Sequence, residues 1–280
     1  MKSYPNITVR RLAKNFNSAK GFSLIEVMTA ITLSLVLIAG VVQMYISSKE
    51  SFRLQQELGR MQENQRLALE FLNRDMHRAG FFINDDPANP NVNHIEKFFI
   101  GNDADGQVST RDGGNSATAD NSYASDFITL RFEADRDCLG NDLTVIDGGG
   151  DLIYAAADGN VYALNQYYVE DGNLMCRGNV DADGTVLISG VSSMQILYGE
   201  DTDPPVAGVV PTANRYVKAE QANLNRVVSV RVSLLFSSEK SIKHQTTTQS
   251  FQLLDGPSFS LSDNKRHQVV TTTIQLRNNT

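Results

Sequence analysis

From Val27 to Ser48 the chain carries no charged residue, a run of 22 positions. A helix needs about 20 predominantly apolar residues to cross the hydrocarbon core of a bilayer, so this run is long enough to span one. Residues 1–21 hold Lys2, Arg10, Arg11, Lys14 and Lys20 and no acid. A basic cluster just before an apolar run keeps that end cytoplasmic and sends the bulk of the chain outward. An ordinary signal peptide or signal anchor shares these features. Here, however, no small-residue A-x-A site follows the run, and the small residue Gly21 comes before it. Without residues 1–21 the chain keeps 20 basic and 32 acidic residues, a net charge of −12. Such an acidic chain is a poor general nucleic-acid binder, because that binding rests on neutralising phosphates.

Glu26 is out of place in a simple anchor. A carboxylate at the membrane end of an apolar run is costly unless paired or held at the interface, which makes it a functional candidate. Snorkelling to the interface is the plain alternative. The string Lys20-Gly21-Phe22-Ser23-Leu24-Ile25-Glu26-Val27-Met28 resembles the cleavage and methylation signal of type IV prepilins and type II secretion pseudopilins. That resemblance implies a cut by prepilin peptidase between Gly21 and Phe22, followed by N-methylation of Phe22. It further implies that Glu26 neutralises the Phe amine of a neighbouring subunit during filament assembly. Glycine suits the cut, since a backbone without a Cβ enters a tight site easily.

Helical periodicity continues past the apolar run. Leu54, Leu58, Met61, Ala68, Leu72, Met76 and Ala79 recur at spacings of three, four or seven, the stripe of an amphipathic helix. Arg53, Gln55, Gln56, Glu57, Arg60, Glu63, Gln65 and Arg66 between them read as a solvated face. No Pro interrupts residues 22–80, and Gly80 is placed to cap the helix. Arg66, Arg74, His77 and Arg78 with Glu70 and Asp75 read as ion pairs on the helix face.

Beyond Gly80, residues 84–125 are rich in Asn, Asp, Gly and Ser and read as an irregular connection. Strands are expected at Asp126–Phe132, Val161–Val169, Leu174–Arg177, Val186–Val191, Met194–Tyr198, Arg226–Phe236 and Val269–Leu276. Leu152–Ala156 is expected to form a hairpin with Val161–Val169 across Asp158-Gly159-Asn160, and Asp171-Gly172-Asn173 to turn into Leu174–Arg177. Helix first and strands later point to an α+β fold. The order of segments, with strings such as Leu69-Glu70-Phe71-Leu72-Asn73-Arg74-Asp75-Met76 and Ser125-Asp126-Phe127-Ile128-Thr129-Leu130-Arg131-Phe132, resembles the PilW family of minor type IV pilins. The resemblance implies a pilin-like long N-terminal helix packed on a C-terminal antiparallel β-sheet domain. Its expected parts are a cytoplasmic leader at 1–21, a transmembrane half-helix at 22–46, an exported amphipathic half at 47–80 and a strand-rich globular domain at 81–280.

In an exported domain Cys138 and Cys176 are expected to form a disulfide. Free buried thiols or a bond to another subunit are the alternatives. No metal is expected, since two cysteines without nearby histidines lack a ligand set. Asp103-Ala104-Asp105-Gly106 and Asp181-Ala182-Asp183-Gly184 begin like calcium loops but place Gly114 and Ser192 where a bidentate Glu is needed, so they read as turns. His77, His94, His244 and His267 are scattered, and no nucleotide-binding or hydrolase motif is present. No cofactor is expected, and the chain reads as an enzyme's substrate rather than an enzyme. The resemblance implies a minor pilin of the priming or tip complex. Its expected partners are other minor pilins, the major pilin, prepilin peptidase and the inner-membrane assembly platform. It would sit single-pass in the inner membrane, with a periplasmic C-terminal domain, before moving to the pilus. The rival readings are a J-type minor pseudopilin, a pilus-associated adhesin or DNA-uptake pilin, and an exported enzyme on a signal anchor.

Overall fold

The computed structural model describes residues 21–81, 125–146, 161–180, 183–204, 209–242 and 245–277. The leader, most of the 84–125 connection, the Leu152–Ala156 strand with its turn, the Asp103 loop, Asp181-Ala182, His94 and His244 lie outside them. The chain forms two compact units, residues up to Phe52 and residues from Arg53 onward.

Helix α1 runs from Leu24 to Arg78. With no Pro to remove a backbone donor, the i→i−4 ladder is uninterrupted. Each residue from 21 to 56 is exposed, and this stretch is apolar and long enough to cross a membrane by length and composition. Three of its hydroxyls bond to their own backbone. Thr29 Oγ1 donates to the Glu26 carbonyl at 2.9 Å, Thr32 Oγ1 to the Met28 and Thr29 carbonyls at 3.1 and 2.9 Å, and Ser34 Oγ to Ala30 at 2.7 Å. Back-bonding of this kind hides hydroxyls in an apolar setting. The helix ends as expected at Gly80, whose φ of 76° is left-handed.

In the second unit the strands form two four-stranded antiparallel sheets and a hairpin. Strands β1 (Ile128–Glu133), β2 (Tyr162–Glu170), β3 (Asn173–Arg177) and β4 (Thr185–Ser189) make the first sheet in that order. Asp171-Gly172 forms the two-residue turn from β2 to β3, with φ of 48° and 73°, the conformation of a type I′ hairpin. The second sheet combines β5 (Val191–Glu200), β6 (Arg215–Val217), β7 (Val227–Ser237) and β10 (His267–Gln275) in the order β10-β7-β5-β6. Strands β8 (Thr247–Phe251) and β9 (Phe259–Asp263) pair as a hairpin.

One strand expectation is corrected. The expected strand Val186–Val191 is divided at Gly190, where the chain leaves the first sheet for the second. Gly190 has φ of 78°, and a Cβ there would meet the Ser237 carbonyl oxygen at 2.7 Å, so only glycine fits the crossing. β2 takes β1 as a neighbour, with Ile128 opposite Tyr167 and Phe132 opposite Ala163, a pairing not foreseen. Strands β6, β8 and β9 fall outside the expected set; Thr-Thr-Gln-Ser-Phe of β8 shows little apolar alternation, and Phe-Ser-Leu-Ser-Asp of β9 alternates over only five residues.

One core joins these layers. Met61, Ala68, Leu72, Met76 and Ala79 from the helix pack with Leu130, Phe132, Tyr167 and Leu174 of the first sheet and Ile196, Tyr198, Val230, Val232 and Leu234 of the second. The helical stripe is therefore realised from Met61 onward, while Leu58 is partly buried and Leu54 is exposed.

Candidate functional site

Gly21 and Phe22 stand just ahead of the first helical residue, and both are exposed. Ser23 opens the helix by accepting the backbone N–H groups of Glu26 and Val27 at 3.0 and 3.2 Å. Glu26 falls in the first turn, where a carboxylate complements the positive end of the helix dipole. Among the described residues nothing bonds the Glu26 carboxylate, whereas the hydroxyls that follow are satisfied. A cut before Phe22 would set a new amine one helical turn from this acid.

A second constellation holds the helix on the sheets. Asp75, read from sequence as part of a surface ion-pair cluster, is 1% exposed. Its carboxylate accepts hydrogen bonds from Tyr167 Oη at 2.6 Å, Asn165 Nδ2 at 2.6 Å and Arg74 Nε at 3.0 Å. Burial pushes the Tyr167 hydroxyl well above its ordinary pKa, and the adjacent Asp75 charge adds to this. The hydroxyl stays protonated and remains a donor. Asn165 Oδ1 accepts the backbone N–H of Cys138 at 2.9 Å. Cys138 and Cys176 form a disulfide, and Cys176 lies opposite Tyr167 in the β2–β3 ladder. Carboxylate, amide, phenol and disulfide thus make one connected anchor between helix, β2, β3 and the loop after β1. Arg78 covers the Phe132 ring at 4.5 Å, a cation–π contact that shields the same region.

Glu57 needs the same correction. Placed on the solvated face by sequence, it is 5% exposed. It accepts the Lys240 backbone N–H at 3.4 Å and lies 3.7 Å from Arg60. Asn64 Nδ2 donates to the Ser189 carbonyl at 3.1 Å nearby. A usable signal existed for both acids: Asp75 is three residues after Leu72 and Glu57 four before Met61, so both lie on the apolar stripe. A charge at such a spacing marks a buried partner rather than a solvated face.

The structure also brings together Ser237, His267 and Asp263. His267 Nδ1 meets Ser237 Oγ at 2.8 Å, and Nε2 meets the two Asp263 oxygens at 2.9 and 3.0 Å. Ser237 Oγ is also 2.6 Å from Ser192 Oγ. Ser237 and His267 are both buried, and Phe251 packs edge-on to the imidazole at 5.4 Å. A nucleophilic serine has to face a substrate, whereas this relay ties β5, β7, β9 and β10 to one another. Among the described residues no group of three His, Cys, Asp or Glu side chains is arranged to hold a metal.

Burial works against ionised Asp263, but hydrogen bonds from His267 and the Lys265 backbone N–H hold its pKa below the ordinary carboxylate value. A depressed carboxylate contributes stability that is present above its unfolded pKa of about 4 and lost as pH falls through the lower folded value. Unfolding free energy measured from pH 5 down to 3 is expected to fall less steeply in Asp263→Asn than in wild type. Equal slopes would remove Asp263 from the acid response.

Residues 16–42 match the Prokaryotic N-terminal methylation motif, and residues 158–278 match PilW, the Type IV Pilus-assembly protein W family. Over residues 158–278 the chain is similar to the PilW family. The two matches support a minor pilin role in type IV pilus assembly, and the PilW family is one of pilin-like structural proteins. Among solved structures the chain is similar to a type IV-like pilin from Thermus thermophilus, with 14% identity and a TM-score of 0.40, covering 78% of this chain and 97% of that one. No curated protein matches it. The PilW match takes in β2 to β10, and the methylation motif takes in Gly21, Phe22 and Glu26.

Proposed function

We propose that the chain is made as a prepilin, cut by prepilin peptidase between Gly21 and Phe22, methylated on the Phe22 amine, and assembled into the priming or tip complex of a type IV pilus. Residues 22–46 anchor it in the inner membrane before assembly. Residues 47–80 and the strand-rich domain at 81–280 lie on the periplasmic side. Other minor pilins, the major pilin and the inner-membrane assembly platform are its partners. The observation that carries this reading is the placement of Gly21-Phe22 immediately before an apolar, exposed helical stretch, inside a matched methylation motif.

Glu26 supplies register in this scheme. Its carboxylate meets the Phe22 amine of a neighbouring subunit, and apolar neighbours that exclude water strengthen the pair. Glu26→Ala is expected to be processed normally yet to leave few or no surface pili, at least a tenfold drop by sheared-pilus blotting. Processed Glu26→Ala with wild-type piliation would remove Glu26 from assembly.

The test of the whole reading is a clean deletion scored for surface pili with twitching and for exoprotein secretion. Lost pili with normal secretion is expected. Normal pili with lost secretion would move the protein to a J-type pseudopilin role, and normal behaviour in both would favour an adhesin or DNA-uptake pilin.

A further inference from the structure

The free edge of β10 is unusual among the sheet edges described. β1 is closed on its outer side by the helix exit: Gly80 N–H donates to the Arg131 carbonyl and Glu133 N–H to the Phe81 carbonyl, both at 2.8 Å. β6 has 3 residues, and β4 has 5 with a register shift against β3. Short, irregular or covered edges are how proteins avoid unwanted strand pairing. β10 has 9 residues, His267-Gln-Val-Val-Thr-Thr-Thr-Ile-Gln275, paired in continuous register with β7. From Gln268 to Gln275 it contains no charge, proline or glycine.

The hydrogen-bond parity of this strand is known. Leu276 N–H donates to the Val228 carbonyl at 2.9 Å, and Ser238 N–H to the Arg266 carbonyl at 2.8 Å. In an antiparallel ladder the bonded positions alternate, so residues 268, 270, 272 and 274 also bond to β7. The backbone groups of Val269, Thr271, Thr273 and Gln275 therefore point away from β7. They form a row of donors and acceptors with no partner strand among the described residues.

Two further features say what would pair there. Exposed arginines bracket the uncharged run, Arg266 at one end and Arg277 at the other, in a chain that is otherwise strongly acidic. At the Arg277 end lies a groove of about 700 Å³ lined by His77, Val209, Val210, Pro211 and Leu276, where Val209 and Val210 are 63% and 70% exposed. A second copy of the chain is a poor occupant. Antiparallel pairing of β10 with itself through its outward residues, centred on Thr271, sets Arg277 of each copy opposite Lys265 of the other, a like-charge clash at both ends.

We propose that the outer edge of β10 is a docking edge for an extended segment of a different pilus subunit, which adds a fifth strand to this sheet. The segment is uncharged and β-branched over its middle, which suits cross-strand contact with valine and threonine. It carries acidic residues at its ends to meet Arg266 and Arg277, and an apolar side chain enters the Val209–Val210 groove. Main-chain bonds supply affinity and the ends supply register, as in other cases of strand addition. This inference rests on the pilus-assembly reading.

The test uses the full-length chain in piliated cells. A photo-crosslinking amino acid at position 269 is expected to join the chain to another pilus subunit, within a segment of the stated composition on peptide mapping. Thr273→Pro removes an outward N–H and leaves the β7 ladder intact, a substitution that edge strands tolerate. It is expected to abolish the cross-link and to reduce surface pili at least fivefold. Arg266→Glu with Arg277→Glu, both exposed, guards against misfolding by Thr273→Pro and is expected to weaken the cross-link at least fivefold at wild-type protein level. Cross-links only between identical chains, cross-links confined to helical segments, or wild-type cross-linking in both variants would overturn the proposal. In that case a deletion strain that still lacks pili would leave the minor-pilin role standing.

Discussion

Asp75→Ala is expected to destabilise the strand-rich unit by about 3–5 kcal/mol, the usual cost of removing one partner from a buried charged network. The substitution deletes the acceptor for Tyr167 Oη and Asn165 Nδ2, both at 2.6 Å, and leaves two polar groups in a dry core. An unsatisfied buried group costs roughly 1–3 kcal/mol each. A protein of this size loses about 2–4 °C of melting temperature per kcal/mol, so a fall of about 10 °C is expected in detergent-solubilised full-length chain. Tyr167→Phe alone removes one donor and should cost less. The double variant should cost less than the sum of the two, because the phenol no longer seeks a lost acceptor. An Asp75→Ala chain within about 1 kcal/mol of wild type would mean that water or rearrangement replaces the carboxylate, and the anchor would lose its energetic role.

Breaking the Cys138–Cys176 bond is expected to have an effect of similar size by a different route. The two residues are 38 positions apart. Closing a loop of that length limits the unfolded chain by about 4 kcal/mol in the chain-entropy account. Cys176→Ser, or reduction of the wild-type chain, should therefore lower the midpoint of unfolding by roughly 8–16 °C. The bond also positions Cys138, whose N–H holds Asn165 Oδ1 at 2.9 Å, so loss of the bridge and loss of Asp75 should be less than additive. Strict additivity would show that the two are separate supports. A melting temperature insensitive to reductant would show that the bridge constrains little.

The N-terminal signal was legible because it is a contiguous string, and the helix because its period is long and free of Pro. Gly80 was readable as its end because a left-handed cap demands glycine there. The cysteine pairing followed once export was inferred. What escaped was information carried by partners distant in sequence. Asp75 and Glu57 look like ordinary surface acids until Tyr167, Asn165 and Lys240 are placed beside them, about 90 to 183 positions away. Gly190 reads as one more turn residue, because its constraint is the Ser237 carbonyl on another strand. Strands β8 and β9 lack a buried face strong enough to write a pattern into the sequence.

The back-bonded hydroxyls of Thr29, Thr32 and Ser34 bear on the energetics of polymerisation. With these three hydroxyls satisfied, that part of the helix partitions almost equally between lipid tails and the apolar flanks of neighbouring helices, since lipid is as apolar as leucine. Transfer from bilayer to fibre is then close to isoenergetic along most of its length. Little free energy is released on adding a subunit and little is needed to remove it, so growth and withdrawal can both be driven by modest external work. In the proposed assembly, the Glu26 carboxylate at the head of the helix is then what would set where each subunit stops.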